Sequence, residues 1–326
     1  MALPLLSVRN LVVEFPTRHG ILTAIDDISF EIEGGEVLGV VGESGAGKSL
    51  TGAAIIGLLE PPGRIAGGEI RLKGERIDNL SEDEMRRIRG KRVGMVFQDP
   101  LTSLNPLYTI AQQLIETIRT HLDISEAEAR SRAVALLDRV GIPAASRRID
   151  DFPHHFSGGM RQRVVIALAL AAEPELVIAD EPTTALDVSV QAQIIDLLKE
   201  VCIERGAAVM LITHDMGVIA ETADRVAVLY AGRLAEIGPI RDVLSSPEHP
   251  YTRGLMGSIP TLTQDLERLV QIPGSMPRLS AIPRGCAFNP RCEQVMERCR
   301  NERPDAIARG KRREVACWLY DEVRDG

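Results

Sequence analysis

Residues 36 to 57 constrain the fold more than any other stretch of this chain. Glu36-Val37-Leu38-Gly39-Val40-Val41 is a short apolar run of strand length. Gly42-Glu43-Ser44-Gly45-Ala46-Gly47-Lys48-Ser49 follows, and Leu50 to Gly57 continues with helix-compatible residues and no proline. The middle piece matches G-x-x-x-x-G-K-S/T, the phosphate loop, between the strand and the helix that such a loop requires. A triphosphate needs many hydrogen-bond donors at short range. Gly42, Gly45 and Gly47 let the backbone wrap closely, because no Cβ intervenes. The loop N–H groups and the positive end of the following helix then face the phosphates. Lys48 reaches the β- and γ-phosphates as a point charge, and Ser49 is placed to ligate Mg²⁺. The expected nucleotide contacts are Gly42, Ser44, Gly45, Ala46, Gly47, Lys48, Ser49 and Thr51.

Composition narrows the classes. The chain has 326 residues, long enough for one large domain, or a domain with an extension, around a sizeable core. A formal net charge of −8 argues against bulk nucleic-acid binding, and an aromatic content of 3% leaves few base-stacking platforms. The longest apolar stretch, Val164 to Ala172, is too short to span a bilayer. Met1-Ala2-Leu3-Pro4 opens without a charged segment or a long apolar one, so no signal peptide is expected. The expectation is a cytoplasmic protein that meets a membrane only through a protein partner.

Around the phosphate loop the pattern is β/α. Residues 5 to 33 alternate as β-structure, with a turn region from Pro16 to Gly20. Phe15 lies upstream of the loop; a core strand position and an adenine-stacking ring both account for it. Glu69 to Leu72 reads as a short strand, Ser81 to Glu84 as a capping box, and Val93 to Phe97 as a buried strand ending at Gln98. Residues 107 to 140 read as helical, with a second capping box at Ser125 to Glu128, and Pro143 to Phe156 as irregular. This stretch interrupts the β/α alternation, so residues of about 100 to 172 are expected to form an inserted helical subdomain. Strands are expected at Leu176 to Glu181 and Ala207 to Thr213, a helix from Val190 to Arg205, and a hairpin around Ala231-Gly232. From about Pro247 prolines become frequent. A boundary near residue 245 is expected, with 246–326 a loop-rich extension.

Chemistry-bearing residues fall at strand ends and helix starts. Ser157-Gly158-Gly159 opens a helix, a second ready anion site, although N-capping alone would account for it. Asp180 closes a buried strand and is placed to organise Mg²⁺ through water. Glu181, next to it, is placed to polarise an attacking water. Gln98, a neutral amide at a strand end, is placed to touch Mg²⁺ or that water. His214 sits at the carboxyl end of a strand, the ligand edge of a parallel sheet. Four of five cysteines crowd the C-terminal region: Cys286, Cys292, Cys299 and Cys317. Their spacing fits neither a zinc ribbon nor a ferredoxin, so they stand as a candidate metal site or as reduced, unligated thiols.

The ordered set resembles the ATPase subunits of ABC transporters: phosphate loop Gly42 to Ser49, glutamine loop at Gln98, signature Ser157 to Gln162, Walker B strand Leu176 to Glu181, Ala185-Leu186-Asp187, and switch histidine His214. Gln98-Asp99-Pro100, Thr102 to Pro106, Phe156 to Arg163, Ala179 to Val188 and His249-Pro250-Tyr251-Thr252 resemble the dipeptide/oligopeptide importer branch. One departure is Phe156 and Met160 at signature positions where leucine and glutamine are widespread. The resemblance implies a P-loop NTPase fold: a RecA-like core with an antiparallel β subdomain and an inserted helical subdomain, spanning 1–245. It implies Mg²⁺ and ATP held between one subunit's phosphate loop and the signature (Ser157, Gly158, Gly159, Gln162) of another, related subunit in a heterodimer, with Asp187 also among the nucleotide-binding residues. Glu181 would then be the general base, with His214 on the γ-phosphate, Phe15 on adenine, and Ser49, Gln98 and Asp180 around Mg²⁺. It further implies two membrane permease subunits, a solute-binding protein acting indirectly, a peripheral place on the cytoplasmic face of the inner membrane, and a 4Fe–4S cluster on the four cysteines. Nickel complexes or glutathione are alternative solutes. A soluble ABC ATPase acting on nucleic acid or ribosomes is the alternative from another class, disfavoured by charge and aromatic content.

Overall fold

The structure, a computed structural model, describes residues 3–183, 188–204, 206–257 and 272–321. Strands β1 (Leu6–Thr17) and β2 (Gly20–Ile32) come first, then β3 (Val37–Val41) and α1 (Lys48–Ile55) around the phosphate loop. Strands β4 (Arg64–Leu72) and β5 (Glu75–Arg76) follow, then α2 (Glu82–Ile88) and β6 (Val93–Val96). A helical run comes next: α3 (Pro100–Ser103), α4 (Ile110–His121), α5 (Glu126–Arg139), α6 (Ala145–Arg148) and α7 (Gly158–Leu170). The β/α alternation resumes with β7 (Leu176–Asp180), α8 (Val188–Glu204), β8 (Ala208–Ile212) and α9 (Met216–Thr222). Strands β9 (Arg225–Tyr230) and β10 (Arg233–Pro239) form the expected hairpin and lead to α10 (Ile240–Ser245). Beyond it lie α11 (Pro250–Gly257), α12 (Glu297–Asn301), β11 (Ile307–Ala308) and β12 (Glu314–Val315), joined by irregular chain.

The chain divides into two compact units. The first comprises Met1–Leu5, Ile32–Val37 and Asn79–Ile212. Its strands β6, β7 and β8 are parallel, with Val96 beside Ala179 and Ala179 beside Leu211. Every residue of β7 and β8 is buried, as continuous apolar runs of a parallel sheet demand. The helices start where the sequence supplies caps. Ser81 and Glu84 close a capping box on α2, the Ser81 N–H donating to Glu84 Oε2 at 2.8 Å. Thr109 and Gln112 do the same for α4, a T-x-x-Q signal as legible as the serine ones. Helix α4 buries Ile110, Leu114 and Ile118, and α5 buries Ala129, Ala133, Leu136 and Leu137 where the two meet. Each large aliphatic side chain so buried contributes about 1.5–3 kcal/mol.

The second unit comprises Leu6–Glu31, Leu38–Asp78 and Thr213–Gly326. One sheet is antiparallel, in the order β2-β1-β4-β5. Strand β4 runs from Arg64, well before the short segment the sequence suggested. Gly67 and Gly68 hide its first half, because they face a bulge in β1 where a Cβ on Gly68 would come within 2.3 Å of the Asn10 carbonyl. Elsewhere β3 lies parallel to β9 with Val41 beside Val228, and β9, β10, β12 and β11 continue antiparallel. The C-terminal β12 returns to pair with β10, placing Val315 beside Glu236. Glu236 is fully buried; it accepts from Arg313 at 2.7 Å and from the backbone N–H of His249 at 3.0 Å. A buried carboxylate so paired pins 246–249 and 313 to the hairpin.

Candidate nucleotide site

The phosphate loop joins β3, buried along its whole length, to α1. Gly42 has φ +153°, and a Cβ there would meet the Leu229 carbonyl at 2.3 Å. Gly47 caps α1 with φ +100°. Gly42 thus answers both a backbone conformation and a close approach that side chains forbid. The loop is tied to the hairpin, since the Gly232 N–H donates to the Ala46 carbonyl at 2.9 Å. The Lys48 side chain is buried within it, its Nζ donating to the carbonyls of Gly42 at 2.8 Å and Glu43 at 3.2 Å. Ser44, Gly45 and Ser49 are exposed on the loop and the first turn of α1. Thr51 is fully buried and its hydroxyl donates to the Gly47 carbonyl at 2.9 Å, so it braces the loop from behind. The result is a concave loop with an ammonium at its centre and an eight-residue helix behind it, a setting for a polyphosphate.

In the first unit the structure brings Gln98 and Glu181 together. Gln98 Nε2 donates to Glu181 Oε2 at 2.9 Å, although the two lie 83 residues apart. Parallel pairing of β6 with β7 sets their ends side by side. Asp180 closes β7 and is 7% exposed, whereas Glu181 is half-buried. Glu181 has φ +45°, and its N–H donates to the Ile212 carbonyl at 2.8 Å. A glutamate in the left-handed region costs about 1–3 kcal/mol, strain of the kind found where a side chain must be aimed. A carboxylate held by a neutral amide is suited to orient and deprotonate a water.

Ser157 caps α7, accepting from the Met160 N–H at 3.4 Å. Ser157 and Gly158 are exposed, and a Cβ on Gly158 would meet nothing within 4 Å. Gln162 differs from them. It is 1% exposed, and its Nε2 finds no hydrogen-bond partner among the described residues. It sits on the buried side of α7, unlike the exposed Ser157 and Gly158 that precede it in the signature. His214 is exposed, and Asp215 after it caps α9 by accepting from the N–H groups of Gly217 at 2.8 Å and Val218 at 3.3 Å. Phe15 is half-buried, its ring against Gly63. Asp187, with Ala185 and Leu186, lies outside the described residues.

Cys286, Cys292, Cys299 and Cys317 all line one small enclosed cavity, shared with His249, Phe288 and Trp318. Among the described residues no three His, Cys, Asp or Glu side chains stand in a metal-holding arrangement. The four cysteines border this small apolar space as a uniform, soft set of thiols, not gathered within the distances a metal ion would need. Burial pushes the Cys286 and Cys317 thiols up to about 11, and that of Cys292 upward as well, so a cation entering there would have to displace their protons.

Sequence reasoning missed the groups that grip the loop from the C-terminal side. The Glu43 N–H donates to Tyr251 Oη at 2.9 Å, and the Glu43 carboxylate pairs with Arg291 across 248 residues. No spacing rule links positions so far apart.

Comparison with known proteins agrees with this geometry. The family described as ABC transporter matches residues 25–184, and the oligopeptide/dipeptide transporter C-terminal region matches residues 235–299. The dipeptide transport ATP-binding protein DppD of Bacillus subtilis (strain 168) is 48% identical over 318 residues, covering 97% of this chain and 95% of that protein. The oligopeptide transport ATP-binding protein OppD of Salmonella typhimurium is 49% identical over 315 residues, covering 96% and 93%. A dimeric, post-hydrolysis structure of the ATP-binding cassette MJ0796 bound to ADP and Pi superposes with a TM-score of 0.66 at 30% identity, covering 72% of this chain and 99% of that one. Among the described residues no helix is long and apolar enough to cross a membrane. Phosphate loop, strand-end carboxylates, matched families and near full-length relatives converge: this chain belongs to the ABC transporter family of ATP-binding proteins, in its dipeptide/oligopeptide branch.

Proposed function

We propose that this chain is the ATP-hydrolysing subunit that energises import of di- or oligopeptides through a membrane permease. The observation that carries the reading is that one chain holds both a complete phosphate loop around Lys48 and a strained, amide-held Glu181, and that its C-terminal region matches that of peptide transporters. Two cassettes close head to tail over two Mg·ATP. The Ser157-Gly158-Gly159 surface of one covers the phosphates in the loop of the other, and the exposed glycine edge supports that role. In this reading Glu181 would deprotonate the attacking water, His214 would sense the γ-phosphate, Phe15 would stack on adenine, Asp187 would contribute to nucleotide binding, and Ser49, Gln98 and Asp180 would hold Mg²⁺, which when bound would neutralise phosphate charge. The partner cassette is a related subunit. Two permease subunits receive the motion at the cytoplasmic face of the inner membrane, and a solute-binding protein delivers the peptide. Residues 1–245 form the motor and 246–326 the branch-specific extension.

The four cysteines would hold a 4Fe–4S cluster, which when bound supplies a redox-active cross-link within the extension. The uniform set of four thiols bordering one space is what supports that assignment; the side chains would have to draw together to bind the cluster. Anaerobically purified protein should carry iron and acid-labile sulfide; colourless, iron-free protein refutes it. The transport reading is tested by co-reconstituting this subunit with its permeases and partner cassette in vesicles. ATP-dependent uptake of labelled dipeptide is expected. Recovery of the chain free of permeases, with no uptake, refutes it.

A further inference from the structure

Glu43 occupies a variable position of the phosphate loop, yet its polar groups are all engaged. Its N–H donates to Tyr251 Oη at 2.9 Å. Its carboxylate takes a two-pronged bond from Arg291, Nη1 to Oε2 at 2.9 Å and Nη2 to Oε1 at 3.0 Å. Its carbonyl accepts from Lys48 Nζ at 3.2 Å and from the Ala46 N–H at 3.1 Å. Both grips come from the extension, and both are built rather than incidental. Tyr251 is fully buried, and the Arg291 side chain is 7% exposed. The Nε of Arg291 donates to the Pro273 carbonyl at 2.7 Å, and its guanidinium lies 5.7 Å from the Tyr230 ring centre and 5.8 Å from that of Phe288. Tyr230, Tyr251 and Phe288 pack against one another with ring centres 4.6–5.4 Å apart.

We propose that Arg291 and Tyr251 are positioning residues of the nucleotide site, through which the extension sets the phosphate loop and cancels the charge of Glu43. Two physical effects follow from the contacts. The carbonyl that helps hold Lys48 belongs to Glu43, so whatever fixes Glu43 fixes the ammonium the phosphates must meet. A carboxylate within a phosphate-binding loop also repels the ligand unless a cation neutralises it. Arg291 does so from a buried position against a part-buried carboxylate, where solvent screens the pair less than at an open surface. Arg291 precedes Cys292, and Phe288 lies two residues after Cys286, so the thiol cavity and the loop share one frame.

The proposal rests on the phosphate-loop reading, and the experiment separates the two. Binding of Mg·ATP and of AMP to the full chain is titrated for Arg291→Gln, Glu43→Gln, the double variant and Lys48→Ala. Arg291→Gln should weaken Mg·ATP about tenfold and leave AMP, which lacks β- and γ-phosphates, unchanged. Adding Glu43→Gln should recover most of that loss, because the uncompensated carboxylate is gone. Unchanged ATP affinity in Arg291→Gln, equal losses for ATP and AMP, or no recovery in the double variant overturns the proposal. If Lys48→Ala itself leaves ATP affinity intact, the phosphate-loop reading fails as well. Should Arg291→Gln not fold, Arg291→Lys and Tyr251→Phe carry the test, since one keeps the charge without the fork and the other removes only a hydroxyl. Each should weaken Mg·ATP roughly threefold with AMP unmoved; wild-type affinity in both overturns it.

Discussion

Two glycine-containing loops in this molecule each start a helix, and their glycines answer different demands. Around Gly42 the chain needs the glycine for itself, because a Cβ would strike the Leu229 carbonyl at 2.3 Å and φ is +153°. Around Gly158 it does not, because a Cβ would meet nothing within 4 Å and the backbone needs no left-handed turn there. The first loop curls inward around a buried lysine. The second presents an exposed helix start, capped by Ser157, to whatever approaches from outside. A glycine the fold does not require points to an approach made by something else. That is what a site completed by a second cassette needs.

The largest expected effect tests the chemistry that both loops are proposed to serve. Glu181→Gln should lower turnover roughly a thousandfold, within the range for a lost general base, while ATP binding persists. Wild-type turnover would remove Glu181 from the mechanism and leave its φ of +45° without a functional cause. Next comes Lys48→Ala, measured by nucleotide titration. It should cost about 3 kcal/mol of ATP binding, roughly a hundredfold in Kd.

The comparison itself breaks or survives on two alanines. Gly42→Ala should destabilise the protein by about 2–3 kcal/mol in urea unfolding, since the clash is with backbone and has nowhere to relax. Gly158→Ala should leave stability unchanged or slightly raised, because alanine is the better helix former by up to about 1 kcal/mol. Its ATP-driven dimerisation and turnover should still fall about tenfold, the added methyl standing where a close partner must come. A Gly158→Ala variant with full turnover would show that this edge meets nothing.

What was legible in the sequence is what local chemistry encodes. The phosphate loop, the serine caps of α2 and α5, and the buried strands β3, β7 and β8 follow from neighbouring residues alone. Strand β4 was only half legible, because its bulge required glycines that read as loop. The buried side of α7 was illegible, since Val164, Val165, Ile166 and Ala167 are buried in succession and leave no polar stripe to orient Gln162. The clamp on Glu43 was illegible for a deeper reason. Arginine, tyrosine and glutamate are ordinary surface residues until the fold decides which surfaces meet.

The smallest effect sharpens the contrast most, because it has an internal control. Ser157 accepts the Met160 N–H at 3.4 Å, and Ser125 accepts the Glu128 N–H at 3.3 Å, so the two serines cap α7 and α5 in nearly the same way. Replacing either by alanine should cost about 0.5–1 kcal/mol of stability, seen as matched shifts in denaturation midpoint. If capping were all Ser157 did, the two variants would also match in ATPase rate. A serine whose hydroxyl additionally faces a partner's phosphate loses a transition-state contact as well. Ser157→Ala should therefore turn over several-fold more slowly than Ser125→Ala at equal stability. Equal rates would reduce the second loop to a well-capped helix and leave the phosphate loop without its counterpart.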